Sequence, residues 1–495
     1  MRQAICGPKG WAFQAVVPLQ CQIAVFLLVF VGGMASLSTE TALARDKGTE
    51  PSVPNIVFIL ADDLGWADVG CQGSTFYETP NIDRLAARGT RFTNAYAACQ
   101  VCSPTRASIL TGKYPARLNL TNYLVGKRQK QGSPVLTAPY EHHMKLSEVT
   151  LAEALGGAGY KSAHVGKWHL GGEPYYPQHQ GFEVNIAGTS AGMPRSFFYP
   201  QWKANVPLAG VKDDYLPDRL TDEAIDFIQA NRTRPFFLYL AYYAVHIPIQ
   251  GKPALVEKYK AKEPGETQDN PHYAAMVEAV DQNVGRVLET LDRLELAENT
   301  VVVFFSDNGG LSTPEGPHTP ATNNAPLREG KGHIYEGGIR EPLLVRWPGK
   351  IGSGTTSGTP VASIDFYPTF LEMAGAKQPA VHTVDGVSLL PLLTGTGQLP
   401  QRELYWHYPH FSNQGGMPAG AVRDGAWKLI EFYEHGDLEL YNLTEDIAET
   451  NNLAEALPER TEMLHRKLVT WRKAVDATMP PQNPDYVEAK SSRRK

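Results

Sequence analysis

The chain predicts an α/β protein: a large mixed, mostly parallel sheet sandwiched by helices, with a small C-terminal α+β domain carrying an antiparallel sheet. Three observations lead there. Compact apolar runs alternate with helix-periodic segments up to about residue 400. Those runs are continuously apolar rather than alternating, as expected of strands buried on both faces. Beyond residue 400 the pattern changes to short strand-like runs closed by one helix.

At the N-terminus, Arg2 and Lys9 precede an apolar run over 23–31 and small residues ending in Ala42-Leu43-Ala44. That order predicts an export signal over 1–44, cleaved after Ala44. The run falls short of the roughly 20 apolar residues of a membrane span, so an uncleaved anchor is the alternative. An exported protein would reach the periplasm or exterior of a bacterium, or the lysosome or exterior of a eukaryotic cell. Cys6 and Cys21 leave with the signal, and Cys71, Cys99 and Cys102 form no disulfide framework. Sequons begin at Asn119, Asn231 and Asn442, which matter only in a eukaryotic secretory pathway. A net charge of −6, with no basic block beyond Arg493-Arg494-Lys495, argues against a nucleic-acid partner and for a small or saccharide substrate.

After a polar linker over 45–54, strands are expected at 55–60, 162–165, 235–243 and 300–305, with a further one at 343–346. Thr150 and Glu153 have capping-box spacing, and Gly156-Gly157 would end the helix they start. Met276, Val277, Val280, Val284, Val287, Leu288 and Leu291 recur at three-and-four spacing, which marks a core-facing stripe. The main domain is placed at 55–399. The C-terminal domain, 400–480, contains strands around Leu404-Tyr405-Trp406, 425–430 and 438–442 and a helix over 458–477, before a polar tail over 481–495.

Ionisable residues follow the strands: Asp62-Asp63 the first, Lys167 and His169 the second, His246 the third, Asp307-Asn308 the fourth. In open α/β sheets ligands sit beyond the carboxyl ends of the strands, so these side chains can meet. Taken singly, Asp62-Asp63 and Asp307-Asn308 read as turns and His246 as a satisfied histidine. Jointly, three carboxylates and one amide make an oxygen donor set for a hard cation, Ca²⁺ with Mg²⁺ as the alternative, and no thiolate pattern points to zinc. Cys102-Ser103-Pro104-Thr105-Arg106 offers Ser103 as N-cap and Pro104 as first helical residue. Residue 102 would then stand at a helix N-terminus that favours an anion, with Arg106 one turn on. A lone cysteine in such a place is ordinarily structural.

The motif Cys102-Ser103-Pro104-Thr105-Arg106, continued by Ala107-Ser108-Ile109-Leu110-Thr111-Gly112, resembles the modification motif of type I sulfatases, arylsulfatase-like members of the alkaline phosphatase superfamily. Further blocks occur in that family's order. They are Asn55-Ile56-Val57-Phe58-Ile59-Leu60-Ala61-Asp62-Asp63, Gly166-Lys167-Trp168-His169-Leu170-Gly171, Ser306-Asp307-Asn308-Gly309, Lys331, and Tyr335-Glu336-Gly337-Gly338-Ile339-Arg340-Glu341-Pro342. The resemblance spans about 53–480.

It implies an alkaline phosphatase-like fold and the hydrolysis of sulfate esters. Cys102 would be oxidised by a formylglycine-generating maturation enzyme, and the hydrated aldehyde would attack sulfur beside the cation. Asp62, Asp63, Asp307, Asn308 and residue 102 would form the metal set. Arg106 would steady the formylglycine, Lys167 and Lys331 would supply positive charge, His169 would take the proton of the second hydroxyl, and His246 with Lys331 would serve the leaving oxygen. His164 is expected inside its strand. His179, His318, His333, Arg340 and His407 are rim candidates, each more ordinary than substrate-binding, and the loop over 188–215 suits a sulfated saccharide. Two other readings stay open: a phosphodiester or phosphonate hydrolase on the same scaffold, and an unmodified metal- or glycan-binding relative.

Overall fold

A computed structural model describes residues 53–126 and 128–487; the expected export signal, most of the linker and the end of the tail lie outside them. The central strand, β1 (Asn55–Ala61), is buried at every residue. Its alternation sends Ile56, Phe58 and Leu60 to one face, against Ile109, Leu110, Phe366 and Phe370, and Val57 and Ile59 to the other. On that second face lies the predicted stripe, from Met276 to Leu291, on the helix Pro271–Arg293. Two cores on two faces explain why the strand reads as an unbroken apolar run, with each large side chain contributing about 1.5–3 kcal/mol of burial.

The other strands of this sheet are β2 (Thr90–Tyr96), β3 (Lys161–Gly166), β4 (Val184–Ile186), β5 (Phe236–Ala241), β6 (Thr300–Ser306), β7 (Arg340–Arg346), β8 (Thr355–Ser357) and β9 (Val361–Ala362). Their order is β4-β3-β5-β1-β6-β7-β2-β8, with β9 also paired to β2. The run from β4 to β6 is parallel, and β7 is antiparallel to both β6 and β2. The sheet is thus mixed and mostly parallel, as expected. The strand foreseen at 343–346 begins three residues earlier, at Arg340. The Thr150/Glu153 capping box is formed, but Gly156 and Gly157 belong to the helix Leu151–Gly157; the chain turns away at Gly159, whose φ of 88° is left-handed.

A second sheet has the antiparallel order β10 (Glu403–Tyr408), β11 (Ala419–Asp424), β12 (Trp427–Phe432) and β13 (Asp437–Asn442). Register places Tyr405, Val422, Leu429 and Leu440 in one row, where the helix Pro458–Ala474 covers them with Leu464 and Leu468. Trp406, Ala421 and Ile430 share the opposite row and pack with Tyr96 of the large sheet and with Ile339, which ends the short helix Glu336–Ile339 just before β7. Among the described residues no helix is long and apolar enough to cross a membrane.

Candidate active site

Four neighbouring parallel strands, β3-β5-β1-β6, end level with one another: Gly166 pairs with Ala241, Leu60 with Ala241, and Ala61 with Ser306. The residues that follow therefore leave the sheet at one edge. Gly166 is obligatory there, because a Cβ would lie 1.9 Å from the Ala241 carbonyl oxygen. Asp63 and His169 adopt left-handed φ values of 60° and 55°. Such backbone costs about 1–3 kcal/mol for a residue with a side chain, and the packed sheet edge holds it in place.

Oxygens of Asp62, Asp63 and Asp307 lie within 4.8 Å of one another, all buried. Fixed cations surround them. Lys167 Nζ is 2.9 and 2.7 Å from the two Asp62 oxygens, Lys331 Nζ is 2.6 Å from Asp63 Oδ2, and Arg106 Nε donates to Asp307 Oδ2 at 2.8 Å. Asn308 Nδ2 donates to Asp63 Oδ1 at 2.8 Å, whereas its Oδ1 is buried without a partner. Burial, only partly opposed by Lys167 and reinforced by Asp307, pushes the Asp62 carboxyl well above the usual range. At Asp63 burial acts in the same direction, but Lys331, with Lys167 behind it, outweighs it and holds the carboxyl below that range. Three crowded, buried carboxylates beside an orphaned amide oxygen fit a hard divalent cation.

Cys102 opens the helix Cys102–Thr111, and Val101 rather than Ser103 occupies the N-cap. The difference has a tertiary cause: the Ser103 hydroxyl donates to the His169 carbonyl at 2.8 Å and accepts from Leu124 N at 3.3 Å. Cys102 Sγ is 3.3 Å from His169 Nδ1, while His169 Nε2 is 2.6 Å from the Leu124 carbonyl. A carbonyl only accepts, so Nε2 carries the hydrogen and Nδ1 faces residue 102 as an acceptor. Burial, then Lys167, pushes His169 down to about 3, and the ring is neutral. His246 Nδ1 is 2.9 Å from the Ile247 carbonyl and its Nε2 is 3.6 Å from Asp63 Oδ2; burial and then Lys331 push it well down.

Cys102, His169, His246 and Lys331 line a cavity of about 260 Å³. The ten residues singled out in the sequence thus gather at one sheet edge. His164 lies buried within β3 among the rings of Trp168, Phe182 and Tyr239. The five rim candidates are absent from the described lining. Arg340 instead pairs with Glu336 at 2.6 Å beneath the second sheet, His407 bonds Tyr433 and the Thr478 carbonyl, and His318 stacks on His272 at 3.6 Å. His179 is exposed in the short helix Pro177–His179, and His333 lies 3.7 Å from Glu329. The cavity is also lined by Tyr123, Met193, Glu315 and Gln414, from loops without a recognisable motif.

Such a sheet edge, with buried carboxylates, fixed cations and a helix-borne cysteine, defines a hydrolase for anionic esters. The chain belongs to the sulfatase family, whose profile matches residues 54–376, and a second profile, N-sulphoglucosamine sulphohydrolase, C-terminal, matches 330–474. It is 35% identical to a sulfatase of Formosa agariphila, over 88% of this chain and 91% of the relative, and 32% identical to arylsulfatase A of Homo sapiens, over 86% and 89%. The crystal structure of Ps i-CgsB in complex with k-i-k-neocarrahexaose aligns with a TM-score of 0.71 and 30% identity, covering 85% of this chain and 93% of that one. The chain is thus a type I sulfatase of the alkaline phosphatase superfamily, an enzyme that hydrolyses sulfate esters.

Proposed function

We propose that the protein removes sulfate from saccharides, using formylglycine made from Cys102 by a separate maturation enzyme and a Ca²⁺ or Mg²⁺ ion held by Asp62, Asp63, Asp307, Asn308 and residue 102. The observation that carries this reading is Cys102 at a helix start inside the cavity, 3.3 Å from a neutral His169, with Lys331 reaching from the same lining to Asp63. The saccharide in the Ps i-CgsB complex supports the substrate class. Residues 1–44 we take as an export signal, which would bring the enzyme to sulfated polysaccharides outside the cytoplasm.

The hydrated aldehyde supplies two hydroxyls, one to attack sulfur and one to release sulfate, and the cation supplies positive charge where the transition state gathers negative charge. The protein's own groups do the rest. Lys331 offers a fixed cation to the anionic ester, and Lys167 keeps Asp62 in place. Arg106 fixes the helix that bears residue 102 to Asp307. His169 accepts the proton of the second hydroxyl at Nδ1, since its Nε2–H is tied to Leu124. His246 and Lys331 bracket the departing ester oxygen, which takes up a proton from the Lys331 ammonium as the S–O bond breaks, the amine regaining one from water.

The test is turnover of sulfated sugars by protein co-produced with a maturation enzyme, together with the mass of the peptide holding residue 102. Cys102→Ala is expected to remove at least about 10⁴-fold of the turnover without unfolding the chain, as loss of a nucleophile does. Full activity in that variant, or faster turnover of phosphate than of sulfate esters, would overturn the proposal.

A further inference from the structure

The cavity above residue 102 has a mixed lining. Leu124, Met193 and Ile247 contribute apolar surface, with Met193 46% exposed. Glu315 and Gln414 contribute polar groups, joined by a hydrogen bond from Gln414 Nε2 to Glu315 Oε1 at 2.6 Å. Gln414 is only 8% exposed, yet its Oε1 has no partner. It also stands close to the turn bearing Lys331, since a Cβ on Gly332 would lie 2.6 Å from that oxygen. A pyranose has the complementary form, with an apolar C–H face and an edge of hydroxyl donors.

We propose that Glu315 and Gln414 form the leaving-group subsite, reading free hydroxyls on a singly sulfated sugar and rejecting a second anionic group beside the scissile ester. This rests on the saccharide sulfatase reading above. A carboxylate only accepts, so Glu315, braced by Gln414, rewards hydroxyl donors and repels a second sulfate beside the scissile ester. Lys331 is shared between Asp63 and the scissile group, which leaves little of its charge for another anion.

Calorimetry and initial rates on matured wild-type protein, Glu315→Gln and Gln414→Leu, with a galactose monosulfate and the matching disulfate, test this. Wild type should favour the monosulfate by at least about tenfold in both Kd and kcat/KM. Glu315→Gln keeps the shape and removes the charge, and should shrink that ratio by about tenfold. Gln414→Leu should weaken the monosulfate about fivefold and leave the disulfate no tighter. An unchanged Kd ratio in Glu315→Gln, or a wild type that binds both sugars equally, overturns the subsite. If wild type binds with the expected ratio but hydrolyses neither sugar, the subsite stands and the catalytic reading falls.

Discussion

Arg106 meets Asp307 through two guanidinium nitrogens, Nε and Nη2, each 2.8 Å from the same carboxylate oxygen, while Nη1 donates to the Lys167 carbonyl at 2.7 Å. One side chain thereby ties the helix starting at residue 102 to the ends of β6 and β3.

A lysine at 106 keeps the charge but cannot reproduce this fork. Arg106→Lys should lower kcat about 100-fold, because a shift of roughly 1 Å at the reacting group is enough. Arg106→Ala strands a buried carboxylate and should cost about 3–5 kcal/mol in urea unfolding, with part of the loss recovered by millimolar Ca²⁺. Undiminished kcat in Arg106→Lys would show that the helix needs no such anchor.

The carboxylate cluster predicts a stability that depends on divalent cation. Ion bound only by the folded state adds about 2.7 kcal/mol at a hundred times its Kd, so chelation should lower the unfolding temperature and abolish turnover together. Asp307→Ala should hold less metal, turn over more slowly and show a smaller cation-induced stabilisation. Equal metal content in that variant and wild type would remove Asp307 from the ligand set.

Much of this site was legible before folding because β1 and β6 announce themselves: Asp62-Asp63 and Asp307-Asn308 come directly after unbroken apolar runs. Strand direction was less legible. β2 mixes Thr90, Arg91, Thr93 and Asn94 with Phe92, and its pairing to β7 is a long-range matter that local pattern does not encode. Ser103 has the residue type of an N-cap, yet the His169 carbonyl claims its hydroxyl. Glu315 and Gln414 escaped notice because they meet only when the connection between β10 and β11 folds against Gly332, so closely that a Cβ on Gly416 would lie 1.8 Å from the Gly332 oxygen.

Acid should weaken the fold through histidines buried in neutral form. Burial, and then Arg106, pushes His164 down to about 3, and burial does the same to His410. Unfolded histidine titrates near 6.5, so between about 6.5 and about 3 the unfolded chain holds a proton that the folded chain refuses. Their contribution is complete above about 6.5 and declines as pH falls, at up to about 1.4 kcal/mol per pH unit for each ring. His164→Leu should flatten the decline of unfolding free energy between pH 6 and 4 by about one such increment; an unaltered slope would mean that His164 takes up its proton in the folded state.

Lys428 of β12 has no exposed surface and lies 3.0 Å from Glu336 Oε1, 2.9 Å from Glu449 Oε1 and 2.9 Å from the Ile334 carbonyl. Glu449 in turn accepts from the Glu336 backbone at 2.7 Å, and Glu336 accepts from Tyr96 and Arg340. This network fastens the second sheet to the segment that follows Lys331. Lys428→Met leaves two carboxylates facing each other in the interior and should cost about 3–5 kcal/mol. Adding Glu449→Gln should recover part of that loss, because the two changes share partners and do not add. The same loosening should reach Lys331 through Ile334 and lower kcat/KM about tenfold at temperatures where the variant remains folded. Additive losses of stability in the double variant, or full kcat/KM in Lys428→Met, would show that the second sheet does not position the Lys331 loop.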